Sequence, residues 1–330
     1  MSTIAMPISA PGHVSTRSYL QNVIDVLAAV GWVRETEVTG QVDPAAAPTT
    51  SGFVGTLYFK STDALSAELP IYLRISFYNY THGSYNVCCP INYGVGLGHN
   101  GSSLNAETAI YLPGIVTATS YPNIRGTGYM STMFASGDGG SLRLCDQPEA
   151  YAYSTSYPDR GVHAHGFVTI ARIKDADGNP TAEGIVLVSG ENSVGNSSQP
   201  MTMSTIKPSG IMVNRSRGLC PIITEHVGSS TTVSAPGQTA SVDGVPQIQH
   251  PWACTPRLYP FEEIAFLPSH SVASTGDILK VQVGTAVKSY IFVGRVGFCP
   301  STVGSTYGSS TSTIENRDML LDAGIAMLWE

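Results

Sequence analysis

Three groups of residues in this chain have types and spacings that could do chemistry. His163 and His165, in Gly-Val-His-Ala-His-Gly, would point to the same side of an extended strand, a common way of presenting two zinc ligands. A third ligand would have to come from His82, His99, His226, His250 or His270, and none stands at a recognised spacing. Asp175, Asp177 and Asn179 match the first ligands of a calcium loop. The match fails further on: Gly178 takes the fourth position, Pro180 the sixth, and Val186 the place of the bidentate glutamate. Glu262 and Glu263 are adjacent carboxylates beside an apolar Ile-Ala-Phe-Leu run. Adjacent residues of a strand face opposite ways, so they do not form an acid–base pair for glycoside cleavage. No Gly-x-Ser-x-Gly stands on a strand-to-helix turn, and the glycine runs lack the βαβ setting that cradles phosphate. The residues therefore give no catalytic, cofactor-binding or metal-ligating assignment, no resident zinc or calcium, and no enzyme.

The elements that would hold such groups are mostly strands. One helix is expected first: Leu20, Val23, Ile24, Leu27 and Val30 recur at three- and four-residue spacing between Ser18 and Val30. Ser15 or Thr16 can cap its start, Gly31 suits the left-handed position after its end, and Trp32 can fold back on the last turn. The period then becomes two. Phe53, Leu57 and Phe59 are expected on one side of a strand, with Val54, Thr56, Tyr58 and Lys60 on the other. Ile71, Leu73, Ile75 and Phe77 alternate with Tyr72, Arg74, Ser76 and Tyr78. Two hairpins follow, Phe167–Lys174 with Gly184–Ser189 across a turn containing Asp-Gly and Asn-Pro, and Ile278–Val283 with Tyr290–Val296. Gly98–Ser103, Ser136–Ser141, Gly190–Ser198, Gly228–Gly237 and Ser301–Ser312 are too polar and glycine-rich to bury a core and read as surface or contact loops. The fold class is mainly β: β-sandwich-like, with one short N-terminal amphipathic helix and long Gly/Ser-rich loops. Residues 1–14 read as an extended arm whose even-spaced Ile4, Met6, Ile8 and Val14 would offer an apolar edge to a neighbour. Residues 15–330 form the β-rich body, with room for two lobes meeting near 136–141.

Composition points to assembly. Only 12 % of the 330 residues are charged, against about a quarter in ordinary soluble domains. Ser, Thr, Asn, Gly and Tyr fill the polar positions instead, a surface that other subunits can cover without desolvating ions. The net charge of −7, from 24 acids and 17 bases with no basic block, argues against direct nucleic-acid binding. No apolar run approaches the roughly 20 residues of a membrane helix. Met1–Arg17 lacks the charged start and continuous apolar stretch of a signal peptide, so synthesis in a cytoplasm is expected. The six cysteines, at 88, 89, 145, 220, 254 and 299, are sparse and form no C-x-x-C; thiols without disulfides are expected. Sixteen tyrosines include Tyr80, Tyr85, Tyr93, Tyr121, Tyr151, Tyr153, Tyr157 and Tyr307 in polar surroundings, the chemistry of protein interfaces and of carbohydrate platforms.

Several stretches carry a resemblance. These are the helix ending Gly31-Trp32, Gly-Phe-Val-Gly-Thr-Leu-Tyr-Phe from Gly52, Leu-Pro-Ile-Tyr-Leu-Arg-Ile-Ser-Phe from Leu69, and Asn-Tyr-Gly-Val-Gly-Leu-Gly-His-Asn-Gly from Asn92. Phe-Val-Thr-Ile-Ala-Arg-Ile-Lys-Asp-Ala-Asp-Gly-Asn-Pro-Thr-Ala-Glu-Gly from Phe167 and the final Met-Leu-Trp-Glu complete them. In pattern and residue style the chain resembles virion structural proteins of tailed bacteriophages, of the tail and baseplate kind; 199–275 contributes nothing to the likeness. The resemblance implies a particle component of the tail, baseplate or tail-proximal region, built of repeated copies and assembled in the host cytoplasm. Its partners would be identical copies and other virion proteins, and it brings no catalytic residue and no cofactor. Two alternatives stand beside it: a receptor- or glycan-binding tail protein that uses the tyrosine-rich loops on a host-surface glycan, and a capsid or neck decoration protein.

Overall fold

The computed structural model describes residues 1–7, 15–82, 85–105, 107–111, 132–154, 157–190, 201–212, 252–254, 258–267, 273, 276–283, 285–298 and 321–330. These build three stacked antiparallel sheets and one α-helix. The central sheet has seven strands: β1 (Ser2–Pro7), β7 (Thr132–Gly137), β8 (Leu142–Ser154), β9 (Tyr157–Lys174), β10 (Pro180–Gly190), β11 (Met201–Lys207) and β12 (Gly210–Met212), in that spatial order. On one face lies a five-stranded sheet of β2 (Trp32–Arg34), β3 (Gly52–Ser61), β4 (Tyr72–His82), β5 (Tyr85–Gly96) and β6 (Thr108–Tyr111). On the other lie β15 (Ile264–Leu267), β18 (Leu321–Leu328), β17 (Ala286–Phe298) and β16 (Ile278–Val283). A separate pair joins β13 (Trp252–Cys254) to β14 (Leu258–Pro260). Among the described residues no helix is long and apolar enough to cross a membrane.

Helix α1 spans Thr16–Ala29, and Ser15 caps it by accepting a 3.2 Å hydrogen bond from the Ser18 amide. Tyr19, Leu20, Val23, Val26 and Leu27 are buried and Ile24 is partly so, one apolar stripe facing the core. That core, the largest cluster, joins the helix to Leu57, Phe59, Leu73, Ile75, Phe77 and Tyr93 of the five-stranded sheet. It also takes in Leu142, Leu144, Val168, Ile170, Ile185 and Leu187 of the central sheet. The opposite face of the central sheet, with Phe167, Ile173, Val186 and Val188, packs on Ile264, Ile291, Val293, Ile325 and Met327. A sheet covered on both faces loses the polar alternation of a half-solvated one, which accounts for the unbroken Phe-Val-Thr-Ile-Ala-Arg-Ile run in β9.

Each interface between layers carries an ion pair, partly buried in one and buried in the other. Arg172 on β9 grips Asp63, after β3, through two guanidinium nitrogens at 2.6 Å each. Arg143 on β8 reaches across the other interface to Glu263, with Nε 2.5 Å from Oε2; both side chains are buried. Burial alone would raise the Asp63 pKa, but the hydrogen bonds from Arg172 and Ser66 outweigh it and hold the carboxyl below its usual range. A carboxylate lowered on folding adds stability above the ordinary value near pH 4, and that stability is lost as pH falls through the lowered value. The gap in urea midpoint between the wild type and Asp63→Asn is therefore expected to be full above about pH 5 and to close toward pH 2. A gap that stays constant through that window would show that Asp63 is not held in this way.

Several sequence expectations need correction. Phe53 was placed with Leu57 and Phe59, but it is 60 % exposed and Val54 is buried in its stead. A bulge between Phe53 and Gly55, with Gly55 at φ +141°, inserts one residue and reverses the faces. Ser136–Ser141, expected as a surface connector, is the tight, largely buried β7–β8 turn. Here Gly31 and Gly139, both at φ +83°, meet so closely that a Cβ on Gly31 would lie 2.9 Å from the Gly139 backbone. The first half of the expected arm is β1, paired along its length to β7 of the same chain, with Ile4 against the core; residues 8–14 lie outside the described residues. Of the expected loops, 191–198, 228–237 and 301–312 also lie outside them.

Candidate functional site

His163 and His165 stand on β9, with His163 in register with Tyr151 of β8. Among the other candidate ligands, His82 ends β4 and His99 lies after β5, while His226, His250 and His270 fall outside the described residues. The Asp175 loop closes on itself. Its carboxylate accepts from the amides of Asp177 and Asn179 at 2.9 and 2.8 Å, and the Asn179 hydrogen bond leads the pull of its pKa below the ordinary value. The oxygens a cation would need thus serve an exposed β9–β10 turn. Glu262 and Glu263 sit in the turn before β15, not on a strand, and serve separate cations: Lys288 for Glu262 and Arg143 for Glu263, whose second oxygen lies 4.0 Å from Lys174.

Among the described residues the structure gathers one group that the sequence did not suggest. Glu35, Glu37 and His99 bring their ligand atoms within 4.8 Å of one another. Glu35 and His99 already have partners. Glu35 Oε1 accepts from the Glu37 amide at 2.7 Å, Lys60 Nζ lies 3.8 Å from its Oε2, and His99 Nδ1 accepts from the Gly101 amide at 3.2 Å. An imidazole that accepts at Nδ1 carries its proton on Nε2 when neutral and cannot ligate there. The edge of the Tyr72 ring packs on His99, with centroids 5.0 Å apart. This is a carboxylate–imidazole–ammonium cluster on the outer face of the five-stranded sheet. Apart from the Glu35–Glu37 pair its members are 23 residues or more apart in sequence, with His99 62 and 64 positions from the two glutamates, which left no local signal.

The arrangement best suited to function is made of backbone. β8 and β9 are central strands, and among the described residues they run beyond their neighbours: β7 pairs β8 as far as Cys145 and β10 pairs β9 as far as Val168, with 112–131 and 191–200 outside the described residues. Beyond these points Gln147–Ser154 and Tyr157–Gly166 pair with each other alone, a two-stranded ribbon roughly 25–30 Å long at about 3.3 Å per residue. Among the described residues no strand flanks it. The β4–β5 hairpin repeats the pattern on a smaller scale: β3 reaches Asn79 and β6 reaches Asn92, while pairing continues from Tyr80 with Val87 to His82 with Tyr85. Both projections point away from the β7–β8 turn. Thr62, at the other end of the β3–β4 pair, bonds to Gly139 in that turn, whereas Asn79 accepts from Thr16 at the start of α1.

The tyrosines divide accordingly. Tyr151, Tyr153 and Tyr157 lie on the ribbon strands, and Tyr80 and Tyr85 on the smaller projection. Tyr93, expected at a polar surface, is fully buried, because it shares the inward face of β5 with Val95 although Asn92 and Gly94 flank it. Tyr121 and Tyr307 lie outside the described residues. Cys88 and Cys145 are buried thiols, and burial pushes the Cys88 pKa up, which keeps that thiol protonated and unreactive. Comparison with protein-family models, curated proteins and solved structures finds no match to this chain.

Proposed function

We propose that this chain is a structural subunit of an assembled particle, a tail, baseplate or tail-proximal component of a bacteriophage virion that works through contacts and without turnover. The 12 % charge content carries the reading, since neutral polar surface is cheap for another subunit to cover. Among the described residues, Gln147–Ser154 and Tyr157–Gly166 pair with each other alone, and backbone edges of that kind suit a further strand. The resemblance to tailed-phage structural proteins supplies the kind of particle, and with it partners that are identical copies and other virion proteins. The test is mass spectrometry and electron microscopy of purified particles from an infected host. The chain is expected at fixed copy number, with the 147–166 ribbon buried against a neighbour. Its absence from the particles, with the protein recovered only as a lone soluble species, would overturn the proposal.

A further inference from the structure

We propose that Asn100 and Gly101 form a site of self-modification, at which His99 takes the amide proton of Gly101 and the Asn100 side chain closes onto that nitrogen with loss of ammonia. This does not depend on the reading of the chain as an assembly subunit.

The chain contains one Asn-Gly dipeptide, and it falls at the tip of the 98–105 loop after β5. The loop is tied at its base. The Asn105 amide donates to Gly98 O at 2.8 Å, His99 and Leu104 form an antiparallel bridge, and the Asn100 amide donates to Ser103 O at 3.0 Å. Gly101 and Ser102 span the tip, and Gly101 takes φ +87°, which favours glycine. The three groups needed for ring closure meet there. The nucleophile is the Gly101 nitrogen, with no Cβ of its own residue to hinder its approach. The base is His99, whose Nδ1 accepts from that same nitrogen at 3.2 Å. The electrophile is Asn100 Cγ. Its Oδ1 accepts from the Ser102 amide and hydroxyl at 3.0 and 2.9 Å, and from those of Ser103 at 2.9 and 3.3 Å. Donors gathered on a carbonyl oxygen stabilise the negative charge that attack places on it.

In the first step the Gly101 N–H proton passes to His99 Nδ1, the nitrogen bonds to Cγ, and the carbonyl electron pair moves onto Oδ1. Collapse of that adduct breaks the Cγ–Nδ2 bond, and the imidazolium returns its proton to the departing nitrogen, which leaves as ammonia. Water then opens the five-membered imide at either carbonyl. One opening gives aspartate, the other isoaspartate with an extra methylene in the main chain, and nothing is oxidised or reduced. Either product adds a negative charge to a loop whose His99 already lies within 4.8 Å of Glu35 and Glu37. The isoaspartyl form also displaces Gly101 O, which accepts from the Thr39 amide and hydroxyl at 2.8 and 2.9 Å and so ties this loop to the 35–42 segment.

The test incubates the purified full chain near neutral pH and follows residue 100 by peptide mapping and mass spectrometry. The peptide carrying Asn100 is expected to gain the mass of an amide exchanged for an acid and to split into two products. It should do so faster in the folded chain than in a free peptide of residues 97–105, which has the same residues without the fold. His99→Gln still accepts the Gly101 hydrogen bond but takes no proton, and should slow the reaction about tenfold or more, with unchanged circular dichroism. The excess of the wild-type rate over this variant should grow between about pH 5 and 8, where imidazoles lose their proton and become bases. The titratable and charged groups around His99 are Glu35, Glu37, Tyr72 and, beside Glu35, Lys60; none reverses that direction. An Asn100 that stays intact overturns the proposal, as does a folded chain no faster than the peptide, or a His99→Gln rate equal to the wild type. If the variant fails to fold, the comparison with the peptide decides alone.

Discussion

Replacing Glu263 with Gln is expected to lower folding stability by about 3–5 kcal/mol, because Arg143 would remain buried with its charge uncompensated. Arg143 is 2 % exposed and gives Glu263 two hydrogen bonds from its guanidinium. Its remaining contacts, Ser141 Oγ at 3.0 Å and Met1 Sδ at 3.5 Å, are neutral acceptors. Lys174 suffers less from the change, being 31 % exposed and 4.0 Å from the carboxylate. A double variant, Arg143→Met with Glu263→Leu, should recover most of the loss, since apolar groups of similar volume remove the need for a counter-charge. Urea unfolding of the three proteins reads this directly. A single-variant loss under about 1 kcal/mol, or a double variant no better than the single, would show that water or another group compensates Arg143.

Leu27→Ala is expected to cost about 2–5 kcal/mol, and Gln21→Ala, on the same helix, to stay within about 0.5 kcal/mol. Leu27 is fully buried where α1 meets both the five-stranded and the central sheets, so truncation leaves a cavity walled on several sides. Gln21 is exposed, and its 2.8 Å hydrogen bond to Asp25 is fully solvated. Equal losses at the two positions, measured by thermal or urea unfolding, would mean that the helix presents a different face to the core.

What the sequence could reveal depended on how local the determining interaction was. α1 was legible because its stripe repeats within fourteen residues and its cap lies next to it; Tyr19 and Val26 widen that stripe beyond the residues first assigned. β4 was legible because Ile71, Leu73, Ile75 and Phe77 are inward and the intervening positions differ in polarity. β8 was not, because it lies in a doubly covered sheet, and Leu-Arg-Leu-Cys gives neither alternation nor a clean apolar run. Arg143 and Arg172 look like surface residues until Glu263 and Asp63, 120 and 109 positions away, come into place. The exchange of Phe53 for Val54 hangs on a bulge, visible in sequence only as Gly55.

Because the ribbon is a continuation of two central strands and not an appended loop, a pull on its tip is a mechanical load on the middle of the seven-stranded sheet. Antiparallel hydrogen bonds lie perpendicular to the strands, so tension along β8 and β9 shears their flanking ladders to β7 and β10 all at once. An edge strand such as β16, bonded on one side only, can be peeled away bond by bond. The Arg143 and Arg172 crosslinks sit on the two loaded strands and tie them to the outer sheets. Force entering at the ribbon is thereby spread over all three layers, and the subunit yields there as one block.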